Sequence, residues 1–118
     1  MEEKKNEPTA LLFVYGTLKR HSPRSLYKYP GTAFINEATA LGYTLYKMPF
    51  RKVPVMVPKH GHKVQGEVWQ IPMSLLETLD KREGVKTGWY TRELILGMFQ
   101  AYLWKHTTLF FKHIGERF

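Results

Sequence analysis

A short apolar run that leads directly into a glycine turn is the feature that most limits the folds open to this chain. Leu11-Leu12-Phe13-Val14 is apolar at every position, which is typical of a strand covered on both faces of a sheet. The run continues into Tyr15-Gly16-Thr17-Leu18, where Gly16 lets the backbone approach a ligand closely and leaves N–H groups that can bind an anion. The same segment also fits an ordinary turn preceded by a core tyrosine.

A helix is predicted in the second half of the chain. Ser74 and Glu77 have the spacing of a capping box, in which the two side chains bond to each other's backbone N–H groups. The helix should run from about residue 75 to residue 82, and Gly84 should end it in a left-handed conformation.

Glu83 is the candidate catalytic residue. It shares a helix face with Leu76 and Leu79, so a carboxylate continues the stripe that faces the core. Desolvation and the negative end of the helix dipole both raise the pKa of such a carboxyl group toward the range of a general base. The alternative is that Glu83 ends an exposed turn and pairs with a nearby cation (Arg82, Lys86 or Arg92).

The remaining pattern is mostly strand, and α+β is therefore the expected fold class. A short helical turn is predicted at residues 25–28, a tight turn at residues 60–63, and a hairpin across Gly97-Met98. Pro54 and Pro58 suggest an edge or bulged position. The predicted strands are residues 10–15, 38–48, 53–57, 64–71, 89–96 and 99–105.

Length and composition narrow the functional classes. The 118 residues fit one domain, expected at residues 9–118 behind a flexible tail at residues 1–8 that has no apolar core of a signal peptide. The absence of cysteine excludes disulfides and thiolate sites, and a cytoplasmic location is expected.

The net charge of +8 is scattered, so we expect no specific nucleic-acid partner and no membrane association. His60 and His62 lack a third ligand, so no metal site is expected.

Five motifs stand in the order found in one known family, and they carry a resemblance that covers residues 13–105. The chain resembles the γ-glutamylcyclotransferase-like family, particularly the branch of γ-glutamylamine cyclotransferases and AIG2-like proteins. It departs from the family pattern after the first turn, where members often carry an asparagine and this chain has His21-Ser22-Pro23-Arg24-Ser25. The motifs are Val14-Tyr15-Gly16-Thr17-Leu18-Lys19-Arg20, Leu41-Gly42-Tyr43-Thr44-Leu45-Tyr46, Val53-Pro54-Val55-Met56-Val57-Pro58, Val64-Gln65-Gly66-Glu67-Val68-Trp69, and Leu79-Asp80-Lys81-Arg82-Glu83-Gly84 with Tyr90-Thr91-Arg92.

The resemblance implies a small mixed β-barrel of five to six strands flanked by one or two helices. It also implies a reaction in which the α-amine of a γ-glutamyl group attacks its own side-chain carbonyl, so that 5-oxoproline and a free amine or amino acid are released. Glu83 stands at the position of the family's catalytic glutamate, and the backbone amides of residues 15–18 are suited to hold the substrate carboxylate or the oxyanion. No metal or organic cofactor is implied.

Other residues near these motifs admit two interpretations. Tyr90 either lines the substrate pocket or packs in the core, and Asp80 is expected to be an inward hydrogen-bond acceptor that fixes a loop. Lys19 and Arg20 either attract an anionic substrate or only flank the first loop. The partner is expected to be a small γ-glutamyl substrate, and the protein a monomer or weak dimer. A non-catalytic ligand-binding or protein-binding member of the same fold is the alternative function.

Overall fold

A mixed sheet of six strands forms the centre of the computed structural model, which describes residues 7–49, 53–109 and 111–118. The strand order is β4-β5-β1-β3-β2-β6. β1 and β5 are parallel, and the other neighbouring strands are antiparallel. The elements are β1 (Thr9–Val14), a 3-10 turn (Leu26–Lys28), β2 (Ala33–Lys47), β3 (Pro54–Pro72), α1 (Met73–Arg82), β4 (Tyr90–Ile95), β5 (Phe99–Trp104) and β6 (Lys112–Gly115).

The predicted α+β class is confirmed, but the sheet does not close into a barrel. β4 and β6 lie at opposite ends of the sheet and, within the described ranges, do not pair with each other. β6 has only four residues and pairs with the last residues of β2, so it is too short to bridge the two edges. The strands instead form an open, curved sheet beside one α-helix.

β1 lies in the middle of the molecule and is buried on both faces, as its apolar run predicts. Phe13 belongs to a cluster with Met56, Val68 and Leu103 on one side of the sheet. Leu12 and Val14 belong to a second cluster on the other side, where Trp69, Ile71 and the buried leucines of α1 pack (Leu75, Leu76 and Leu79). Burying apolar surface on both faces favours this central position.

The prediction of two strands separated by a tight turn at residues 60–63 is wrong, because β3 runs without interruption from Pro54 to Pro72. Its partner β2 is equally continuous and supplies hydrogen bonds along most of this length. The expected irregularity appears as a register shift: Tyr43 pairs with Pro58, whereas Leu41 pairs with Lys63. The extra residues of β3 are accommodated as a bulge.

The helix begins two residues earlier than predicted, and the capping box between Ser74 and Glu77 does not form. Pro72 is the N-cap residue and makes no side-chain cap. Glu7 instead accepts hydrogen bonds from the Ser74 N–H (3.1 Å) and hydroxyl group (2.5 Å), and the Met73 N–H donates to the Pro8 carbonyl (3.0 Å). A distant segment therefore satisfies N–H groups that the local sequence was expected to cap. The predicted tail contributes these two residues, and its residues 1–6 lie outside the described part.

Two local predictions are confirmed. The helical turn near residues 25–28 is the 3-10 turn Leu26–Lys28, and the Ser25 hydroxyl accepts a hydrogen bond from the Tyr27 N–H (3.2 Å). The hairpin across Gly97-Met98 joins β4 to β5. No helix within the described ranges is long and apolar enough to cross a membrane.

Candidate active site

A cavity of about 630 Å³ lies between the loop that follows β1 and the end of α1. Its volume is within the range of small-molecule sites. Residues 15–18 and residues 83–90 are far apart in sequence. They meet at this cavity because β1 and the β4–β5 hairpin are neighbours in the sheet. All of the candidate site residues predicted from the sequence line this cavity: Tyr15, Gly16, Thr17, Leu18, Glu83 and Tyr90.

Glu83 reaches the cavity because α1 ends there. Its N–H donates to the Leu79 carbonyl (2.9 Å), and Gly84 follows with φ of +69°, the left-handed conformation predicted for the helix stop. Burial raises the pKa of the Glu83 carboxyl group, and the neighbouring Arg82 partly offsets this shift. A carboxyl group with a raised pKa, facing a cavity, has the properties of a general base.

The loop after β1 forms the opposite wall. A Cβ atom on Gly16 would lie 2.8 Å from Pro54 Cγ, so a glycine is needed for this loop to pack against β3. Within the described ranges, the hydrogen-bond network gives the N–H groups of Gly16, Thr17 and Leu18 no acceptor. A loop that lines a cavity and has backbone N–H groups without a protein acceptor can bind an anion or an oxyanion.

Tyr15 is part of the wall, with its hydroxyl group already engaged. The hydroxyl donates to the Tyr102 carbonyl (2.8 Å). Burial raises the pKa of Tyr15 well above its usual value, and the nearby Tyr90 and Glu83 raise it further. The phenol therefore stays neutral, and it positions the loop by packing and by its hydrogen bonds to the backbone of Tyr102 and Met56.

A buried carboxylate that sequence reasoning did not place in the site holds the first loop in position. Glu67 Oε1 accepts hydrogen bonds from the Arg20 N–H (2.8 Å) and from Trp69 Nε1 (3.1 Å). Glu67 Oε2 lies 3.4 Å from Arg20 Nε, an ion-pair contact. The sequence signal was the Gly66-Glu67 motif next to the apolar pair Val68-Trp69, but the partner of Glu67 is far away along the chain.

Arg20 and Lys19 do not line the cavity. The Arg20 guanidinium lies 4.2 Å from the centre of the Phe34 ring and pairs with Glu37 (2.7 Å). Lys19 Nζ donates to the Phe118 carbonyl (3.3 Å). In the part of the chain that the structure describes, the cations that line the cavity are Arg24 and Arg82, and Arg82 donates a hydrogen bond to the Tyr29 hydroxyl group.

An ion pair attaches the end of α1 to the β4–β5 hairpin. Arg92 donates through Nε to Asp80 Oδ1 (2.7 Å) and through Nη2 to Oδ2 (3.1 Å). The Tyr102 hydroxyl group also donates to Asp80 Oδ1 (2.7 Å). Asp80 is the inward acceptor that was predicted, and this bidentate contact fixes the helix turn that precedes Glu83.

The far side of the cavity is aromatic, which the sequence motifs did not indicate. Trp89 and Trp104 line it with Tyr90, which also packs against the core cluster that contains Leu12, so Tyr90 combines its two predicted alternatives. The ring centroids of Tyr90 and Trp104 are 5.3 Å apart in an edge-to-face arrangement. Trp104 lies in the second strand of the predicted hairpin, but nothing in its local sequence shows that this strand would bring it to the cavity.

The described residues include no group of three or more His, Cys, Asp or Glu side chains that could hold a metal ion. The ring of His62 packs edge-to-face on that of His113, with centroids 5.7 Å apart. His113 Nε2 is itself within 2.7 Å of the Thr44 hydroxyl group. These histidines connect β3, β2 and β6 on a different part of the sheet from the cavity residues.

Comparison with known proteins yields one family and several similar structures. The model of the family described as "Gamma-glutamyl cyclotransferase, AIG2-like" matches residues 12–112. No match is found among curated proteins.

The similar structures extend over nearly the whole chain. The solution structure of protein ytfP from Escherichia coli is 28% identical, with a TM-score of 0.72, and the match covers 90% of this chain and 92% of that one. An AIG2-like protein from Mus musculus is 26% identical, with a TM-score of 0.69 and coverage of 89% and 85%. A structure named as a gamma-glutamyl cyclotransferase has a TM-score of 0.65 over 92% of this chain and 70% of that one, and at 21% identity it supports the fold alone.

Proposed function

The chain belongs to the gamma-glutamyl cyclotransferase, AIG2-like family, and from this premise we propose that it is an enzyme that releases 5-oxoproline from a γ-glutamyl amide. The substrate is a small γ-glutamylamine, and the other product is a free amine or amino acid. The observation that carries the proposal is that Glu83, with a raised pKa, and the loop residues 16–18 line one cavity. In this proposal the protein acts in the cytoplasm, without a cofactor.

Glu83 is the proton-transfer group of the reaction. The α-ammonium group of the substrate loses a proton to the carboxylate, and the resulting amine attacks the γ-carbonyl carbon of the same molecule. A C–N bond forms in the five-membered ring and the amide C–N bond breaks. The attacking nitrogen gives up two protons in all, and Glu83 carries them in turn to the leaving nitrogen, so that the amine departs as an ammonium ion and the carboxylate is restored. The raised pKa of Glu83 suits both steps, because the group must accept and then return a proton near neutral pH.

The remaining walls position the substrate for ring closure. The N–H groups of residues 16–18 face the developing oxyanion or the α-carboxylate of the substrate, and Arg24 and Arg82 add positive charge to the same cavity. Holding the flexible glutamyl chain in a folded conformation removes much of the entropic barrier to an intramolecular reaction. The tight contact of Gly16 with Pro54 keeps this wall fixed.

The test is to replace Glu83 with Gln and measure 5-oxoproline release from a panel of γ-glutamyl amides. Gln keeps the shape of the side chain but cannot accept a proton, so we expect kcat to fall by about 10²–10⁴. The melting temperature should be unchanged or higher, because a neutral amide replaces a partly buried carboxylate.

Glu77→Gln is the matched control, since Glu77 lies exposed on the same helix and should have no effect on kcat. A Glu83→Gln variant that releases 5-oxoproline at close to the wild-type rate would overturn the proposed role of Glu83. A wild-type protein that binds γ-glutamyl amides but turns none of them over would favour the non-catalytic alternative.

A further inference from the structure

An exposed tryptophan at the cavity is not accounted for by the chemistry at Glu83. Trp89 lines the cavity, yet 58% of its surface is exposed. Its backbone N–H donates to the Gly84 carbonyl (3.0 Å), and a Cβ atom on Gly84 would lie 3.0 Å from Trp89 Cδ1. The indole therefore packs against the residue that follows Glu83, so a group bound in the cavity beside Glu83 can contact this ring.

The aromatic wall around Trp89 is held by several contacts. Trp89 and Trp104 have ring centroids 5.9 Å apart at an interplanar angle of 29°. Trp104 is nearly buried, and its Nε1 donates to the Thr107 carbonyl (3.4 Å). His106 packs edge-to-face on both tryptophans, and its Nε2 donates to the Gly88 carbonyl (2.7 Å). A preorganised aromatic surface loses little conformational freedom when a ligand binds to it.

The charges that line the cavity decide which kind of group fits this wall. Among the described residues of its lining, Arg24 and Arg82 are the cations and Glu83 is the carboxylate. The proposed reaction uses Glu83 for proton transfer, and Arg82 already lies beside it. A leaving amine that carries a second, cationic group would therefore bring that group close to these two cations, and the described lining has no further carboxylate to pair with it. An uncharged flat group avoids this repulsion and gains stacking and apolar burial.

We infer that Trp89 and Trp104 form the leaving-amine subsite of the cavity, which takes an amine whose substituent is uncharged, flat and aromatic. The inference rests on the proposed function and adds the class of substrate to it. Trp89 is thus a specificity-determining residue: its ring contacts the part of the substrate that does not react.

The first experiment compares three synthetic substrates: γ-glutamylbenzylamide, γ-glutamylmethylamide and γ-glutamylcadaverine, whose free end is cationic. We expect the benzylamide to have the highest kcat/KM, about tenfold above that of the methylamide, mainly through a lower KM. The cadaverine compound should be the poorest of the three. Equal values for the benzylamide and the methylamide, or a preference for the cationic compound, would overturn the inference.

The second experiment replaces Trp89. Trp89→Ala should lower the ratio of kcat/KM for the benzylamide to that for the methylamide about tenfold, whereas Trp89→Phe should keep most of the preference. Leu94→Ala is the matched control, because Leu94 is also 58% exposed on the same part of the chain but does not line the cavity. Melting temperatures establish that the variants are folded, and an unchanged ratio in folded Trp89→Ala would overturn the inference.

Direct binding separates the failure of this inference from failure of the proposed function. Turnover of the methylamide without a preference for the benzylamide would contradict the subsite alone. If no γ-glutamyl amide is turned over, the cyclotransferase proposal fails, and calorimetry with the same compounds then tests the subsite. Tighter binding of the benzylamide that is lost in Trp89→Ala would support the subsite, and equal binding of the two amides would overturn it.

Discussion

At the scale of single residues, two glutamates with opposite surroundings support the candidate site. Glu83 faces the cavity, and burial, which disfavours the charged carboxylate, has the largest effect on its pKa. Glu67 is buried as well, but two N–H donors and the Arg20 guanidinium surround its carboxylate. The first environment suits a group that exchanges protons, and the second suits a group that holds a loop through its hydrogen bonds.

The raised pKa of Glu83 predicts a specific pH dependence of stability. Above the ordinary glutamate pKa of 4.5, the folded protein keeps a proton on Glu83 that the unfolded chain has already lost. The contribution of this group to the free energy of unfolding therefore falls as the pH rises from 4.5 toward the pKa of the folded protein.

Urea unfolding of the wild type and of Glu83→Gln across this range measures the effect. The free energy of unfolding of Glu83→Gln, relative to that of the wild type, should increase as the pH rises. A difference between the two proteins that does not change with pH would contradict the predicted shift.

Replacing Glu67 with Gln should loosen the first loop. The amide oxygen can still accept the two N–H groups, but its NH₂ group then faces Arg20 Nε, which is buried and has no hydrogen-bond partner. We expect the free energy of unfolding to fall by about 1–3 kcal/mol and 5-oxoproline release to slow.

Glu37→Gln is the control for this prediction, because Glu37 pairs with the same arginine but is exposed to solvent. An exposed ion pair contributes at most about 1 kcal/mol. Equal effects of the two substitutions on urea unfolding would show that Glu67 has no special role in holding the loop.

At the scale of elements, the hairpin between β4 and β5 contains a strained residue. Leu96 has φ of +54°, and Gly97 follows with φ of +75°. The Met98 N–H donates to the Ile95 carbonyl (3.1 Å) and closes the turn. Two successive positive φ angles favour Asn-Gly at these positions, whereas a leucine side chain is strained in this conformation.

Leu96→Asn should therefore stabilise the protein by roughly 0.5–1 kcal/mol, because asparagine tolerates the left-handed conformation better. Met98→Asn is the control, since Met98 is similarly exposed but has no positive φ. Thermal melting of the two variants checks the prediction, and a lower melting temperature for Leu96→Asn than for the wild type would contradict it.

At the scale of the whole molecule, the net charge of +8 does not predict a nucleic-acid surface. Part of the positive charge is already paired, because Arg20 lies beside Glu37 and Glu67, and Arg92 beside Asp80. We expect only weak binding to DNA or RNA, which should disappear at about 150 mM salt, where screening acts over about 8 Å. Filter binding at low and physiological salt measures this, and tight sequence-dependent retention at the higher salt would contradict it.

The sequence predicted the features of the molecule that depend on local patterns. Gly84 as the helix stop, the turn that begins at Ser25 and the hairpin near Gly97 each depend on residues a few positions apart. The burial of β1 on both faces also followed from its apolar run. The candidate site residues came from motifs, and the fold brings them to one cavity.

What the sequence did not predict depends on partners far away in the chain. The continuity of β3 follows from its pairing with β2, and the start of α1 from Glu7. Arg20 turns away from the cavity because Glu67 holds its backbone N–H. The neighbours of a carboxylate, a strand or a tryptophan in the sequence do not show which residue it will contact across the sheet.

The contact between the segment before β1 and the start of α1 has a practical consequence for making the protein. Residues 7 and 8 bind the helix whose other end carries Glu83. A recombinant chain trimmed to begin at Thr9 would keep every strand complete. It would nevertheless lack the two residues whose oxygens accept hydrogen bonds from the first helical turn. A purification tag belongs ahead of Glu7, with that residue and Pro8 retained.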